Sequence, residues 1–295
     1  MKSFAFDVWD GGRLIVNRDF SPLLCLHGLT TFDSLMGFSG GRVAKNVLRE
    51  RTTTRYDLAD ASGETRAFFL KRHWRPPLAE WIKPWLRFQR PILGARNEWD
   101  AIQRFHRAGI ATMIPVALGE SSGRSFLLTA AIEGCCKLTE WMAERSGSLQ
   151  NGEVKTLRQI IAGVADVART MHAAGMHHQD FYLTHLMVPL GEIAAIGDAA
   201  VPAAQADSSP GPQSWRPIHV LDLGRVRWRR RLSRRWIIKD LAQLDYSASR
   251  VTAGDRLRFL TAYLGRPVEN TDRPLIRRVL RKSRAIARHS KKNGL

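Results

Sequence analysis

The sequence predicts an α+β protein of two lobes, with a small first lobe of antiparallel strands and one helix and a larger, mainly helical second lobe. Three observations predict this class: two hairpin patterns lie in the first half of the chain, one amphipathic helix pattern lies between them, and helical patterns fill most of the second half. A length of 295 residues suits two folding units of about 150 residues each. We expect the first lobe at 1–132 and the second at 133–295.

The strands of the first lobe follow from its β-branched and aromatic residues. Segments 52–58 and 66–71 are rich in such residues, and the turn-forming segment 60–63 separates them, which predicts a hairpin that ends on Lys71. Two further apolar runs within 112–132 surround a second turn sequence and predict another hairpin. Upstream of these hairpins we expect only loops and edge strands.

One helix is expected between the hairpins. Asn97 offers an N-cap, Glu98 stands in the first turn, and Gly109 is placed near the end. The apolar face has a spacing of three and four residues and comprises Trp99, Ile102, Phe105 and His106. The helix therefore follows the strand that carries Lys71.

The second lobe begins with the longest helical pattern of the chain. Apolar residues form one stripe over 154–171, and Gly175 is placed to terminate the helix. A polar sequence at 178–180 follows, and a later strand at 219–221 runs into the turn 222–224. The segment 194–215 is rich in Ala, Pro, Ser and Gly and predicts a flexible insertion.

The composition is that of a basic globular protein. Lys and Arg number 46 against 27 Asp and Glu, which leaves a net charge of +19. Like charges repel one another in a compact state, so a charge of this size indicates an anionic partner. Composition alone does not distinguish nucleic acid, anionic lipid and an acidic protein as that partner. No apolar run is long enough to span a bilayer, the first residues do not resemble a secretory signal, and the three cysteines form no disulfide framework. We expect a cytoplasmic protein.

Four charged residues occur in the order found in protein kinases. A lysine ends a hairpin strand (Lys71), a glutamate begins the next helix (Glu98), an H-x-D sequence ends on Asp180, and a D-x-G sequence begins at Asp222. In that fold Lys71 would contact the α- and β-phosphates of ATP, Glu98 would hold Lys71, Asp180 would accept the proton of the attacking hydroxyl, and Asp222 would ligate Mg²⁺. We expect these side chains to converge on one nucleotide.

Several stretches resemble the lipopolysaccharide core kinases. They are 68–74, 91–99, 178–185 and 221–223, with further similarity at 234–241 and in the Lys-rich end, so that the resemblance covers the chain from about residue 40 to its C-terminus. The resemblance implies a small kinase fold that phosphorylates a heptose or Kdo sugar of the lipopolysaccharide inner core.

The sequence departs from the protein-kinase pattern at His185 and Gln179. His185 stands where kinases carry a magnesium-binding Asn, and because the resembled family also carries His there we place His185 near the metal or the phosphates. Gln179 stands where many protein kinases carry an Arg that binds the phosphorylated activation loop, so we expect no activation by loop phosphorylation. Gly40 and Gly41 are a weak phosphate-loop signal, for which plain turns are the alternative. We expect His178 to brace the loop by hydrogen bonding.

The positive charge is concentrated in two segments. Residues 225–239 hold seven Arg and one Lys without an acid, and 273–292 hold six Arg and three Lys without an acid. The second segment also has an apolar helical face, which suits an anionic membrane surface, as do the aromatic and basic residues of 74–90. A solvated charged face and a nucleic-acid groove are the alternatives, but no nucleic-acid motif accompanies them, so we expect no nucleic acid.

These observations predict an ATP- and Mg²⁺-dependent kinase that phosphorylates a heptose or Kdo hydroxyl of the lipopolysaccharide inner core. We expect it to be peripheral on the cytoplasmic face of the inner membrane, with the core glycolipid, the anionic membrane surface and possible acidic proteins as partners. Arg225, Arg227 and Arg229 follow the metal turn and are the candidates for contact with the anionic substrate. Two alternatives stay open: a kinase with a small-molecule or protein acceptor, and a non-catalytic basic protein that binds membrane or nucleic acid.

Overall fold

The structure is a computed structural model that describes residues 3–48, 51–74, 94–144, 151–190 and 218–294. The chain forms two compact units, Met1–Ile132 with Asp222–Val226, and Glu133–Leu221 with Arg227–Leu295. These units differ from the predicted lobes, 1–132 and 133–295, because the turn that begins at Asp222 groups with the first unit. The predicted insertion at 194–215 and most of the aromatic and basic segment 74–90 lie outside the described residues.

A seven-stranded antiparallel sheet forms the first unit. Its order is β1-β2-β6-β7-β5-β4-β3. The strands are β1 (Phe6–Trp9), β2 (Leu14–Asn17), β3 (Arg42–Leu48), β4 (Arg51–Ala59), β5 (Thr65–His73), β6 (Ile114–Ser121) and β7 (Arg124–Ala130). Both expected hairpins are present, as β4–β5 and β6–β7. Lys71 lies on β5 between Thr53 of β4 and Leu127 of β7, so its backbone is held on both sides.

Two short helices, α1 (Ser21–Leu26) and α2 (Phe32–Gly37), fill the part of the first unit for which the sequence predicts only loops and edge strands. Thr31 and Ser34 form a reciprocal capping box at the start of α2. The Phe32 side chain is fully buried in the hydrophobic core of the first unit. Helices of six residues show too little periodicity for detection, since one apolar face recurs only once or twice in them.

The helix between the hairpins is α3 (Arg96–Arg107). It buries Trp99, Ile102 and Phe105, which is the predicted apolar face. The prediction that Asn97 caps this helix is wrong: the helix begins at Arg96, two residues earlier than predicted, and its N-cap is Ala95, whose methyl group cannot accept a hydrogen bond. The Asn97 side chain is bound elsewhere, as the active site shows.

The second unit is mainly helical. Its helices are α4 (Leu138–Glu144), α5 (Asn151–Ala173), α6 (Arg234–Ser247), α7 (Ala253–Leu264) and α8 (Arg273–Lys292). Short strands accompany them: β8 (Cys135–Lys137), β9 (Met176–His177), β10 (Leu186–Pro189), β11 (His219–Val220) and β12 (Arg227–Trp228). Helix α5 carries the predicted apolar stripe, and Gly175 follows it with a φ of +73°, where a Cβ atom would lie 2.1 Å from the Arg229 carbonyl oxygen.

An apolar cavity of about 340 Å³ lies inside the second unit. Its walls come mainly from α5 to α8 and include Leu157, Val164, Leu244, Leu260, Val279 and Leu280. Leu280 of α8 and Leu257 of α7 are exposed although they line this cavity, so apolar surface reaches the solvent beside it. No helix of the described residues is long and apolar enough to cross a membrane.

Candidate active site

The first unit joins the predicted lysine to the predicted glutamate. Lys71 Nζ donates a hydrogen bond of 2.6 Å to Glu98 Oε1, and the Glu98 side chain is only 5% exposed. Burial, the largest influence, lowers the pKa of Lys71, but the charges of Glu98 and Asp222 and the hydrogen bond to Glu98 outweigh it and raise the pKa above its ordinary value. Lys71 is therefore held as a cation at one end of β5.

Asp222 is the second carboxylate beside Lys71. Its Oδ1 lies 3.9 Å from Lys71 Nζ, and its side chain is 48% exposed. The Asp222 backbone is left-handed, with φ 55° and ψ 59°, and it opens the short 3₁₀ turn Leu223–Arg225. Non-glycine residues occupy this region at a cost and mainly where neighbouring structure enforces it, often at functional sites. The first unit thus places a partly exposed carboxylate next to a fixed cation.

Asn97 binds the turn that follows Asp222. Its Nδ2 donates to the carbonyl oxygens of Gly224 at 2.9 Å and Val226 at 3.0 Å. Sequence reasoning missed this function because the two partners lie more than 120 residues further along the chain. In the sequence, the position of Asn97 directly before Glu98 is the signal for a role at this site, but the same position also predicts an N-cap.

The second unit holds the loop that carries Asp180. His178 Nε2 lies 3.0 Å from the Leu221 carbonyl oxygen, and His178 Nδ1 accepts the Asp180 N–H at 3.3 Å, so the ring is the neutral tautomer with its proton on Nε2. His185 Nδ1 lies 2.7 Å from the Asp180 carbonyl oxygen and therefore donates to it. The structure thus brings His185 to the backbone of Asp180, and His178 braces the loop as expected.

Helix α6 anchors this loop through Asp240. The Asp240 carboxylate accepts the backbone N–H groups of His178 at 2.7 Å and of Gln179 at 2.9 Å, and the side chain has no exposure. Gln179 has a φ of 72°, so the loop is bent immediately before Asp180. Asp240 therefore braces the loop that carries Asp180.

Two more residues of α6, which sequence reasoning missed, bind the same loop. Gln243 accepts the Phe181 N–H at 3.2 Å and donates to the Gln179 carbonyl at 2.6 Å, and Ser247 Oγ accepts the Leu183 N–H at 3.0 Å. With Asp240 they stand at spacings of three and four, on one face of the helix. That polar stripe, inside an otherwise apolar helix face, was the signal that could have found them.

Buried His172 and half-buried Tyr263 lie next to Asp240 and to each other. His172 Nε2 lies 3.5 Å from Asp240 Oδ2, and His172 Nδ1 lies 2.9 Å from the Tyr263 hydroxyl. Burial raises the pKa of Asp240, but the interaction with the His172 ring and the hydrogen bond from the His178 backbone N–H outweigh it and hold the pKa below its ordinary value. Burial and the charge of Asp240 raise the pKa of Tyr263 to about 12. Asp240 is therefore an anion and Tyr263 a neutral phenol.

Gly40 and Gly41 lie directly before β3. Gly40 has a φ of +86°, and a Cβ atom on Gly41 would lie 2.6 Å from side-chain carbons of Thr54 and Tyr56. Close packing against β4 is therefore sufficient to require glycine at position 41. The phosphate contact expected of the two glycines stays a prediction.

The donors for a metal ion come from different units. Asp222 belongs to the first unit and His185 to the second, and no cluster of three or more His, Cys, Asp or Glu within the described ranges could hold a metal. The Asp222 carboxylate, partly exposed and 3.9 Å from Lys71 Nζ, has the hard oxygen atoms that Mg²⁺ prefers. The Nδ1 atom of His185 is bound to the Asp180 carbonyl oxygen, and imidazole is a poorer ligand for Mg²⁺ than a carboxylate. The residues fit Mg²⁺ best at Asp222.

The chain is similar to kinases of known name. A model of the lipopolysaccharide kinase (Kdo/WaaP) family matches residues 41–263. A lipopolysaccharide core heptose(I) kinase WaaP from Escherichia coli is 33% identical over 230 residues, which are 76% of this chain and 78% of that protein. The protein of the same name from Pseudomonas aeruginosa is 30% identical over 263 residues, with 87% and 88% covered.

A solved structure described as WaaP in complex with acyl carrier protein has the same fold. The two chains are 28% identical with a TM-score of 0.63, and the match covers 92% of this chain and 98% of the other. This similarity confirms the predicted two-lobed, kinase-like α+β fold. Because the family model matches most of the chain and relatives at 30% identity and above cover three quarters of it or more, the chain belongs to the lipopolysaccharide kinase (Kdo/WaaP) family and is a phosphotransferase.

Proposed function

We propose that the protein transfers the γ-phosphoryl group of ATP to a hydroxyl of a heptose or Kdo sugar in the lipopolysaccharide inner core. The observation that carries this proposal is the position of Lys71, bonded to buried Glu98 and 3.9 Å from the partly exposed Asp222. The names of the relatives, heptose(I) kinases, favour heptose as the acceptor.

Lys71 would bind the α- and β-phosphates of ATP. Phosphoryl transfer depends mainly on positioning and on neutralisation of phosphate charge, because the protein has little covalent chemistry to perform. Glu98 keeps Lys71 protonated and fixes its ammonium group, so that the cation is in place before the nucleotide arrives. A fixed cation loses little free energy to reorganisation when charge develops.

Asp222 would hold the magnesium ion, with His185 as a second candidate ligand. A bound Mg²⁺ supplies charge neutralisation between the β- and γ-phosphates. The side chain of Asp222 is exposed enough to exchange water for a ligand, whereas Glu98 is not. This difference in exposure divides the two carboxylates beside Lys71 into a metal ligand and a structural partner.

Asp180 would orient the acceptor hydroxyl and accept its proton. The loop before and after it is tied to α6 by Asp240, Gln243 and Ser247, all through backbone groups. Its own N–H and carbonyl are bound to His178 and His185. A carboxylate on a loop with so many backbone contacts is held in one place, as a general base must be.

The test is mass spectrometry of lipopolysaccharide from cells that carry either the intact chain or Asp180→Asn. We expect the variant to lose one phosphate-sized mass from the inner core and to lower turnover by about 10² to 10⁴ with stability little changed. Fragmentation locates the sugar. Equal phosphorylation in both strains would remove Asp180 from the mechanism.

A purified assay separates the two alternatives. ATP-dependent labelling of protein but not of core glycolipid would favour a kinase with a different acceptor. Salt-sensitive binding of anionic vesicles or nucleic acid without any ATP turnover would favour a non-catalytic basic protein.

We infer that α8 forms the contact with an anionic surface at the cytoplasmic face of the inner membrane. The helix buries Leu275 and Val279, while Arg277, Arg281 and Arg284 are exposed at spacings of four and three. Each basic residue near an anionic bilayer contributes about 1 kcal/mol. A helix that is fixed to its own unit by one face and basic on the other suits peripheral attachment.

We also propose an acidic protein as a partner, with acyl carrier protein as the candidate because the similar WaaP structure is described with it. The apolar cavity of about 340 Å³ would accept an acyl chain, and α8, which forms one of its walls, carries exposed basic residues. Burial of an acyl chain is favourable by about 0.8 kcal/mol per CH₂ group. Charge and apolar volume therefore favour the same partner.

A further inference from the structure

We propose that Asn97 is a positioning residue, which fixes the turn that carries Asp222 to helix α3 and thereby sets the distance between Asp222 and Lys71. This inference rests on the proposed role of Asp222 in holding the magnesium ion. Asn97 would contact neither nucleotide nor acceptor. It would act through the backbone of the turn.

The geometry gives the carboxamide a specific task. Nδ2 donates to two carbonyl oxygens, at Gly224 and at Val226, and these residues stand on either side of Arg225 in the turn. Only a side chain with two N–H donors on one short stem makes both contacts from this position. An aspartate would instead place negative charge against two carbonyl oxygens.

The turn needs such an external support. Asp222 has a left-handed backbone, and a hydrogen bond from the Val226 N–H to the Leu223 carbonyl at 3.0 Å closes the turn. A non-glycine residue stays in this conformation where its surroundings over-determine it. Leu223 and Val226 are fully buried, and the two contacts of Asn97 fix the carbonyl groups of Gly224 and Val226.

Asn97 also couples the turn to the lysine. It directly precedes Glu98, which holds Lys71 at 2.6 Å, so one turn of α3 carries the partner of Lys71 and the support of the Asp222 turn. A Cβ atom on Gly224 would lie 3.5 Å from Glu98 Oε2, which shows how closely the turn approaches the helix. Helix formation does not explain the asparagine, because Ala95 is the N-cap.

The test compares Asn97→Leu, which keeps the size and removes both donors, with Asn97→Ser, which keeps one donor. Arg96→Ala is the control, since Arg96 lies in the same first turn of α3 but is exposed and pairs with Glu120 of β6. The first measurement is amide hydrogen exchange of a peptide spanning 222–228 in the full chain without nucleotide. We expect about tenfold faster exchange in Asn97→Leu, an intermediate rate in Asn97→Ser, and the unchanged rate in Arg96→Ala.

The second measurement is the kinetics of the same variants with core glycolipid. We expect the apparent activation constant for Mg²⁺ to rise about tenfold and kcat to fall about 10- to 100-fold, with an unchanged KM for the glycolipid. Unchanged exchange in the turn would overturn the inference, as would loss of activity in proportion to a lower melting temperature with an unchanged Mg²⁺ constant. Faster exchange in a chain whose wild type lacks ATP turnover would support the positioning of the turn and refute the proposed function.

Discussion

At the scale of single residues, the two carboxylates beside Lys71 differ in burial rather than in chemistry. Glu98 is almost fully buried and bonded to Lys71, while Asp222 is half exposed and slightly beyond hydrogen-bond distance. Removing a buried charged partner costs more than removing an exposed one, because the remaining charge stays without compensation. The two residues should therefore respond differently to neutralisation.

Glu98→Gln is expected to lower the pKa of Lys71, because burial, which lowers it, is then opposed mainly by Asp222. Lys71 should react faster with an amine-specific reagent at pH 8, and kcat/KM should fall about 10²-fold as the fixed cation is lost. Quantitative mass spectrometry of Lys71 labelling measures the first effect. Glu140→Gln is the matched control, since it breaks the exposed pair with Lys137, and similar Lys71 labelling in both variants would contradict the account.

Lys71, Glu98, Asp180 and Asp222 could be proposed from the sequence because four chemically required residue types occur in a fixed order. The structure brings Lys71, Glu98 and Asp222 together within the first unit, and the convergence of Asp180 with them stays a prediction. Residues that bind only backbone could not be found in this way. Asn97 holds carbonyl groups more than 120 residues away, and such contacts leave no local pattern.

At the scale of elements, the long helices were predictable and the short ones were not. Helix α5 repeats its apolar stripe over six turns, and α3 repeats it over three, so periodicity alone identifies them. Helices α1 and α2 depend instead on a capping box and on burial below the sheet. Helix α8 was also predictable, because its sequence pattern specifies both an apolar face and a basic face.

The basic face of α8 gives a prediction about binding. Arg277→Gln, Arg281→Gln and Arg284→Gln together should weaken attachment to anionic vesicles by about 3 kcal/mol at low salt, and should also weaken binding of an acyl carrier protein. Lys155→Gln, Arg158→Gln and Arg169→Gln remove the same charge from exposed positions of α5 and should change binding little.

Vesicle co-sedimentation and size-exclusion chromatography measure the two interactions separately. Loss of carrier-protein binding alone would assign α8 to the protein partner, and loss of vesicle binding alone would assign it to the membrane. Equal weakening by both triple variants would show that only the total charge matters, which would contradict a localised contact.

At the scale of the whole molecule, each unit contains a histidine that is held neutral: half-buried His73 in the first unit and fully buried His177 in the second. Burial, with the charges of Arg51 and Lys71, lowers the pKa of His73 in the first unit to about 4. Burial lowers the pKa of His177 in the second unit to about 4 as well, against the opposing charge of Asp240. His177 is stacked on Trp236 at 4.4 Å, and neither of its ring nitrogens has a hydrogen-bond partner among the described residues.

These two histidines predict how stability depends on pH. Between pH 6.5 and about 4 the unfolded chain binds protons at both rings while the folded chain does not, so the free energy of unfolding rises with pH across this window. Stability is therefore complete above pH 6.5, is lost progressively on acidification, and changes no further through these groups below pH 4. A shift of this size at a fully buried ring corresponds to about 3 kcal/mol.

The measurement is urea unfolding at a series of pH values from 7.5 to 4.5, followed for the wild type and for His177→Phe. The variant retains the aromatic contact with Trp236 and has no titrating group, so its free energy of unfolding should depend less steeply on pH while His73 preserves part of the slope. His289→Gln is the control, because His289 is exposed on α8 and should leave the slope unchanged. If His177→Phe kept the full slope, His177 would not contribute to acid destabilisation, which would then come from His73 or from repulsion among the 46 Lys and Arg side chains as carboxylates lose their charge.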